Sequence, residues 1–145
     1  MLAGEHASQG LEEPRQNVKC RVELPQDWDD RPSGAFPTRA NDRRRFPRFH
    51  YRVRAVFQSR QTFPALSCSG ELCIVYTTQI SRGGMAFMHY EQLFPRQRFF
   101  IYFSGGMRKE LEVVWCRRCN DKCYEVGARF NVELDHKIVS SLLND

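Results

Sequence analysis

The chain has 145 residues, of which 41% are hydrophobic and 27% charged, and this predicts one domain with a tail and a single hydrophobic core. No apolar run is long enough to cross a membrane and the first residues lack a secretory signal, so we expect a cytoplasmic protein. The net charge of +5 is uneven: seven arginines and no acidic residue lie between Arg43 and Arg60. Such a positive field suits an anionic partner, whether nucleic acid, a phosphorylated small molecule or an acidic protein.

Residues 1–40 predict an irregular, flexible arm. They contain few apolar residues, several prolines and glycines, and five basic against seven acidic residues. Val18–Leu24 alternates weakly and could form a short extended piece. An arm of this kind can become ordered on a ligand or a partner. We therefore divide the chain into an arm, 1–40, and a folded domain, 41–145.

From Arg48 onward the sequence has the pattern of short β-strands. The stretch "FHYRVRAVF" alternates, with Phe49, Tyr51, Val53, Ala55 and Phe57 on one face. Further runs separated by turn-forming residues follow at Leu72–Thr78, Gly84–His89, Arg98–Phe103, Lys109–Cys116 and Tyr124–Phe130. Short strands at regular spacing leave the fewest exposed edges when they close, so the pattern predicts an all-β barrel or sandwich.

The last residues change to a helical period. Leu134, Ile138 and Leu142 recur every fourth residue, and Asp135 is the predicted N-cap. This predicts a short helix that closes one end of the barrel.

An arginine cluster, "RRRFPR", precedes the first strand. Arg44 and Arg48 are its one pair spaced four apart, and Pro47 argues against a regular helix. A guanidinium group can bind a phosphate or the Hoogsteen edge of guanine with two hydrogen bonds, and can stack on a base. The alternatives are a basic flank of the first strand and a nonspecific nucleic-acid patch.

A second feature, "TQISRGGMAF", predicts two strands joined by a tight turn. Gly83 and Gly84 permit positive φ and a close approach of backbone. Gln79 and Ser81 could offer hydrogen bonds to a ligand at this turn. The alternative is an ordinary hairpin with polar turn residues.

The six cysteines and the absence of catalytic motifs limit the metal-binding and catalytic functions that the sequence supports. Cys116, Cys119 and Cys123 lie near one predicted turn, and Cys68 and Cys73 bracket another, so four thiolates could hold zinc. We expect unliganded cysteines instead, because the spacing is not that of a zinc ribbon. No nucleophile elbow, HExxH pair or phosphate-binding loop is present, so we predict a protein that is not an enzyme.

Taken in order, "RRRFPR", "QISRGG", "VVWC…CYEVGARF" and a short helix resemble a PilZ domain. That family pairs an RxxxR motif ahead of its barrel with a [D/N]xSxxG motif on the barrel surface. The resemblance runs from about Asp42 to the C-terminus. It implies a six-stranded antiparallel β-barrel that binds the bacterial second messenger cyclic di-GMP. The ligand-binding residues that it implies, with their neighbours, are Arg43, Arg44, Arg48, Gln79, Ser81, Arg82 and Gly84.

Two positions of this set depart from the family pattern or lie between its motif residues. Gln79 replaces the family's Asp or Asn, and losing a charged acceptor would cost on the order of 1–2 kcal/mol of binding free energy. Arg82 is either an extra cation for the ligand or a solvated turn residue.

The resulting hypothesis is a cyclic di-GMP receptor that orders its arginine loop around the dinucleotide and signals to a downstream protein. It needs no cofactor or metal and no membrane, and nucleic acid is not its expected partner. Two rivals stay open: a degenerate PilZ barrel that works only through protein contacts, which Gln79 favours, and a small nucleic-acid-binding β-barrel.

Overall fold

The computed structural model describes residues 18–28, 45–60 and 72–144. Seven strands and one helix make up the regular structure of these residues. The strands are β1 (Phe49–His50), β2 (Arg54–Ser59), β3 (Leu72–Ile80), β4 (Gly84–His89), β5 (Arg98–Tyr102), β6 (Arg108–Asn120) and β7 (Cys123–Phe130), and the helix α1 is His136–Leu143.

The six longer strands close into an antiparallel barrel. The strand order is β1-β3-β2-β5-β6-β7-β4, and β4 pairs in turn with β3, which closes the circle from β2 to β7. The two-residue β1 lies outside this circle and pairs with the C-terminal end of β3. The predicted six-stranded all-β barrel with a short C-terminal helix is confirmed.

The barrel is filled by the inward-facing side chains of the alternating strands. Phe57, Phe87 and Phe99 form its centre, with ring centres between 4.8 and 6.0 Å apart. Each of the three is almost fully buried. Stacked, tilted and edge-on aromatic contacts of this kind add to the free energy gained by burying apolar area.

Helix α1 covers one end of the barrel and is tied to the β3–β4 turn. The Asp135 carboxylate accepts a hydrogen bond from the Lys137 amide at 2.9 Å, which confirms the predicted N-cap. Leu134, immediately before the cap, is buried in the core, and its amide donates to the Arg82 carbonyl at 2.8 Å. In the described part of the chain, no helix is long and apolar enough to cross a bilayer.

The predicted first strand is divided in two by a threonine. The Thr77 hydroxyl donates to the Tyr51 carbonyl at 2.5 Å and accepts from the Val53 amide at 2.8 Å. This side chain takes the place of regular ladder hydrogen bonds, so β1 and β2 are separate strands. The inward face of the run is as predicted: Tyr51 is buried, and Val53 packs against the core.

Part of the predicted arm, residues 18–28, lies on the outside of the barrel. The Ile74 amide donates to the Lys19 carbonyl at 3.1 Å, beyond the point where β4 stops pairing with β3. The Trp28 ring then meets Tyr76 edge-on, with ring centres 6.1 Å apart. Val18–Leu24, where the weak alternation suggested a short extended piece, forms no regular strand, although the Glu23 amide also donates to the Lys122 carbonyl at 3.2 Å.

A buried histidine, His89, closes the opposite end of β4. Its ring packs between Phe57 and Tyr90, at 4.5 and 4.9 Å between ring centres. Nδ1 accepts from the Glu91 amide at 3.0 Å, and Nε2 lies 3.6 Å from Cys73 Sγ. Burial lowers the pKa of His89 from 6.5 to about 4, against a smaller opposing effect of Glu91.

Acidification is therefore expected to destabilise the fold through His89. Well above pH 6.5 the His89 ring is neutral in both the folded and the unfolded protein. Below pH 6.5 the ring becomes protonated in the unfolded chain, whereas in the folded protein it stays neutral down to about pH 4. The free energy of unfolding should fall by about 2 kcal/mol between pH 7.5 and pH 5 because of this group. Urea unfolding at both pH values measures it, and His89→Gln should remove that part of the loss. An equal pH dependence in both proteins would contradict the assignment.

Candidate functional site

A surface cavity of about 320 Å³ lies where the chain enters the barrel. Three parts of the molecule form it: the arginine segment (residues 45–48), the β3–β4 turn with its flanking residues, and the neighbouring β6–β7 wall. Four predicted site residues line it, namely Arg48, Gln79, Ser81 and Gly84. The predicted residues Arg43 and Arg44 lie outside the described residues.

The serine of the β3–β4 turn holds the turn in shape. The Ser81 hydroxyl oxygen accepts from the amides of Gly83 and Gly84, each at 3.2 Å. The Ser81 amide donates to the Gly84 carbonyl at 2.8 Å. Because this side chain hydrogen-bonds to the backbone of its own turn, it fixes the shape of this wall of the cavity in the absence of a ligand.

The two glycines of the turn have different reasons to be glycine. Neither uses the positive φ that glycine permits; positive-φ glycines in the described ranges are Gly105 and Gly106. Close approach is the reason at Gly84, where a Cβ would lie 2.3 Å from the Ala128 carbonyl oxygen of β7. At Gly83 a Cβ would only touch the Phe46 ring at 3.4 Å.

Gln79 lines the cavity and carries an unsatisfied acceptor in its side chain. It lies at the end of β3, opposite His50 of β1, and just after an irregularity in the pairing with β4. Its side-chain Oε1 is buried and has no hydrogen-bond partner among the described residues. A buried acceptor without a partner costs about 1–3 kcal/mol, so this side chain would be stabilised by a hydrogen-bond donor that reached it from the cavity.

The arginine segment docks on the turn through an aromatic ring. The Phe46 ring lies between two guanidinium groups, those of Arg45 at 4.9 Å and Arg82 at 4.6 Å from its centre. Arg45 also pairs with Glu133 at 2.9 Å. These contacts hold the segment beside the cavity and place the exposed Arg48 on its wall.

Arg82 has a role that the sequence did not suggest. Its Nε donates to the Leu134 carbonyl at 2.9 Å, on the side of α1. The side chain is thus neither a solvated turn residue nor part of the cavity lining. It links Phe46, the turn and the start of the helix.

The sequence interpretation missed the aromatic wall of the cavity. Trp115 on β6 is 41% exposed, and its indole lies over Gly127 of β7, where a Cβ would come within 2.1 Å of the ring. The absence of a side chain at Gly127 therefore leaves the space that the indole occupies. A glycine inside the strand "YEVGARF" was the available signal, because such a glycine often marks a close approach. Arg129, two residues further on, also lines the cavity.

The cysteines that suggested zinc do not gather in the described residues. Cys73 and Cys123 are buried, Cys116 is half-buried, and Cys119 is exposed; none of the four forms a disulfide within the described ranges. Burial raises the pKa of Cys116, which disfavours its thiolate. Across residues 18–28, 45–60 and 72–144, no three His, Cys, Asp or Glu side chains form a metal-binding group. Cys68 lies outside these ranges.

The cavity brings together groups whose chemistry suits an anionic ligand with flat, polar rings. It offers the Arg48 guanidinium, the unsatisfied Gln79 acceptor and the exposed face of Trp115. None of its described lining residues is a histidine or a carboxylate, so they supply no general base. A search of curated proteins finds no match to the chain. The family model of the PilZ domain matches residues 42–144, which is most of the chain. The protein therefore belongs to the PilZ domain family.

Proposed function

We propose that this protein is a receptor for cyclic di-GMP and binds it in the cavity between the arginine segment and the β3–β4 turn. The observation that carries the proposal is the buried Oε1 of Gln79, an acceptor without a partner on a residue that lines the same cavity as Arg48. PilZ domains are a family of cyclic di-GMP receptors, and they act by binding and not by catalysis.

Each chemical part of the ligand has a counterpart in this cavity or in the arginines that precede Arg48 in the sequence. The two phosphates need cations, which Arg48 supplies directly and which Arg43 and Arg44 supply from the preceding positions of the chain. The donors on the Watson–Crick edge of guanine need an acceptor, which Gln79 offers. The face of a purine can stack on the half-exposed Trp115.

Signalling follows from the position of the arginine segment. Phosphate–guanidinium contacts exist only when the ligand is bound, so they favour the conformation in which the arginines surround it. Because Phe46 joins this segment to the turn and, through Arg82, to α1, the bound ligand changes a surface made of all three. We infer that a downstream protein recognises this surface.

Calorimetry with four ligands tests the proposal. Saturable heat is expected with cyclic di-GMP, and weaker or no heat with cyclic di-AMP, GTP and single-stranded RNA. Preferential binding of RNA would favour a nucleic-acid-binding barrel instead. Folded protein that binds none of the four at high micromolar concentrations would favour a module that works through protein contacts alone.

Gln79→Asp is expected to tighten cyclic di-GMP binding about tenfold. A carboxylate would accept from the guanine donors as a charged group, and charge-assisted hydrogen bonds are roughly twice as strong as neutral ones. Gln79→Met, which keeps the length of the side chain without its polar atoms, should weaken binding. Titration calorimetry of the three proteins measures both changes. Weaker binding by the Asp variant would mean that the donor of the amide is used as well.

A further inference from the structure

A row of charged residues crosses the outside of the barrel and ends at the motif glycine. Arg98 on β5, Glu112 on β6, Arg129 on β7 and Gly84 on β4 are direct partners in the register of neighbouring strands. Direct cross-strand partners point to the same face of a sheet. The charges of this row therefore lie side by side and run toward the nucleotide cavity.

Glu112 stands between two arginines and holds both. Its Oε2 accepts from Arg129 at 2.8 Å, and its Oε1 lies 3.7 Å from the Nε of Arg98. The Glu112 side chain is 21% exposed, whereas that of Arg129 is 67% exposed. Arg129 is thus the partner that can reorient at little cost, because it is mostly in water at the start.

Arg129 also stands at the border of two cavities. It lines the nucleotide cavity, and it lines a second one of about 340 Å³ that holds its partner Glu112 together with Arg98. Its guanidinium is therefore placed to serve either the carboxylate on one side or a ligand phosphate on the other. None of the described residues lining the nucleotide cavity is a carboxylate that could repel a ligand phosphate there.

We propose that Arg129 is a further phosphate-binding residue of the nucleotide site, and that Glu112 competes with the ligand for it and so sets the affinity. This inference rests on the proposed function. When Arg129 turns to the phosphate, Glu112 keeps Arg98 as a counterion, so its partly buried charge is not left alone. Glu112 thereby lowers the affinity by the strength of an exposed ion pair, which is about two- to fivefold in an equilibrium constant.

The test compares Glu112→Gln with a matched control, Glu110→Gln. Glu110 is two residues away on the same face of β6, but its ion-pair partner is Arg60. Both variants remove one negative charge from the same strand. In calorimetry with cyclic di-GMP, Glu112→Gln should bind about threefold more tightly than the wild type, and Glu110→Gln should be unchanged. Arg129→Gln should bind about tenfold more weakly, since a charged donor is lost.

The double variant Glu112→Gln/Arg129→Gln decides whether Glu112 acts through Arg129. It should bind cyclic di-GMP with the affinity of Arg129→Gln alone, because the guanidinium for which Glu112 and the ligand compete is then absent. Two results would overturn this inference and leave the proposed function intact. In the first, the wild type binds cyclic di-GMP and Glu112→Gln and Glu110→Gln have equal affinities. In the second, Glu112→Gln tightens binding as much in the Arg129→Gln background as in the wild type. Absence of binding by every one of these folded proteins would overturn the proposed function and this inference with it.

Discussion

Arg48→Ala is expected to weaken cyclic di-GMP binding about a hundredfold while the barrel stays folded. Arg48 is exposed and lines the cavity beside the β3–β4 turn, and we expect its guanidinium to meet a ligand phosphate with two charge-assisted hydrogen bonds. Each such bond is worth about 1.5 kcal/mol or more, which gives the hundredfold loss. Arg48→Lys should fall between the two, because lysine keeps the charge and loses the fork.

The matched control is Arg52→Ala, in the same run of arginines. The Arg52 guanidinium donates to the Trp28 carbonyl at 2.8 Å, and the residue is not part of the cavity. Its loss should leave the affinity unchanged. Arg44→Ala, four positions before Arg48, is expected to behave like Arg48→Ala, since the two form the RxxxR pair. Calorimetry of the purified variants, with circular dichroism as a check on folding, measures all of this. Equal affinities of Arg48→Ala and Arg52→Ala would refute the role of Arg48.

The features that the sequence predicted well depend on neighbours in the chain. The strand β4 begins and ends at the predicted residues because a short apolar run and the glycine turn before it are local signals. The Asp135 cap was predictable for the same reason, since its partner is two residues away. The Ser81 turn needs residues no further away than Gly84. Local chemistry of this kind can be read without a structure.

The features that were missed depend on register between distant strands. Trp115 meets Gly127 because the β6–β7 pairing shifts between Val113 and Trp115, and no residue type announces that shift. The break between β1 and β2 needs the hydroxyl of Thr77, more than twenty residues away. A side chain that replaces ladder bonds across a barrel cannot be inferred from periodicity, which describes one strand at a time.

The described motif residues lie together as predicted, whereas the residues that support them were not predicted. Gln79, Ser81 and Gly84 meet Arg48 at one cavity, as the resemblance implied. Arg82 was expected to face a ligand or solvent, and it braces α1 instead. The sequence around Arg82 does not indicate which carbonyl its side chain binds, because Leu134 lies more than fifty residues later in the chain.

Gly84→Ala is expected to lower the free energy of unfolding by about 3 kcal/mol, whereas Gly83→Ala should be nearly neutral. A Cβ at position 84 would lie 2.3 Å from the Ala128 carbonyl oxygen and 3.2 Å from the Arg129 Cα. Both atoms are backbone, so relief requires β4 to move away from β7, with loss of packing and ladder bonds at that seam. At position 83 the contact is with the Phe46 ring at 3.4 Å, an ordinary van der Waals distance to a side chain.

The same displacement should weaken cyclic di-GMP binding, because the turn that ends at Gly84 forms one wall of the cavity. Urea unfolding of the two alanine variants measures the stability difference, and titration at 10 °C, where the weaker fold is still populated, measures the affinity. The two effects separate two explanations for the glycine. Binding lost without any loss of stability would mean that the ligand, and not β7, occupies the space beside Gly84. Stability lost together with binding would mean that the motif glycine is needed first to let two strands approach, and that the nucleotide site depends on that approach.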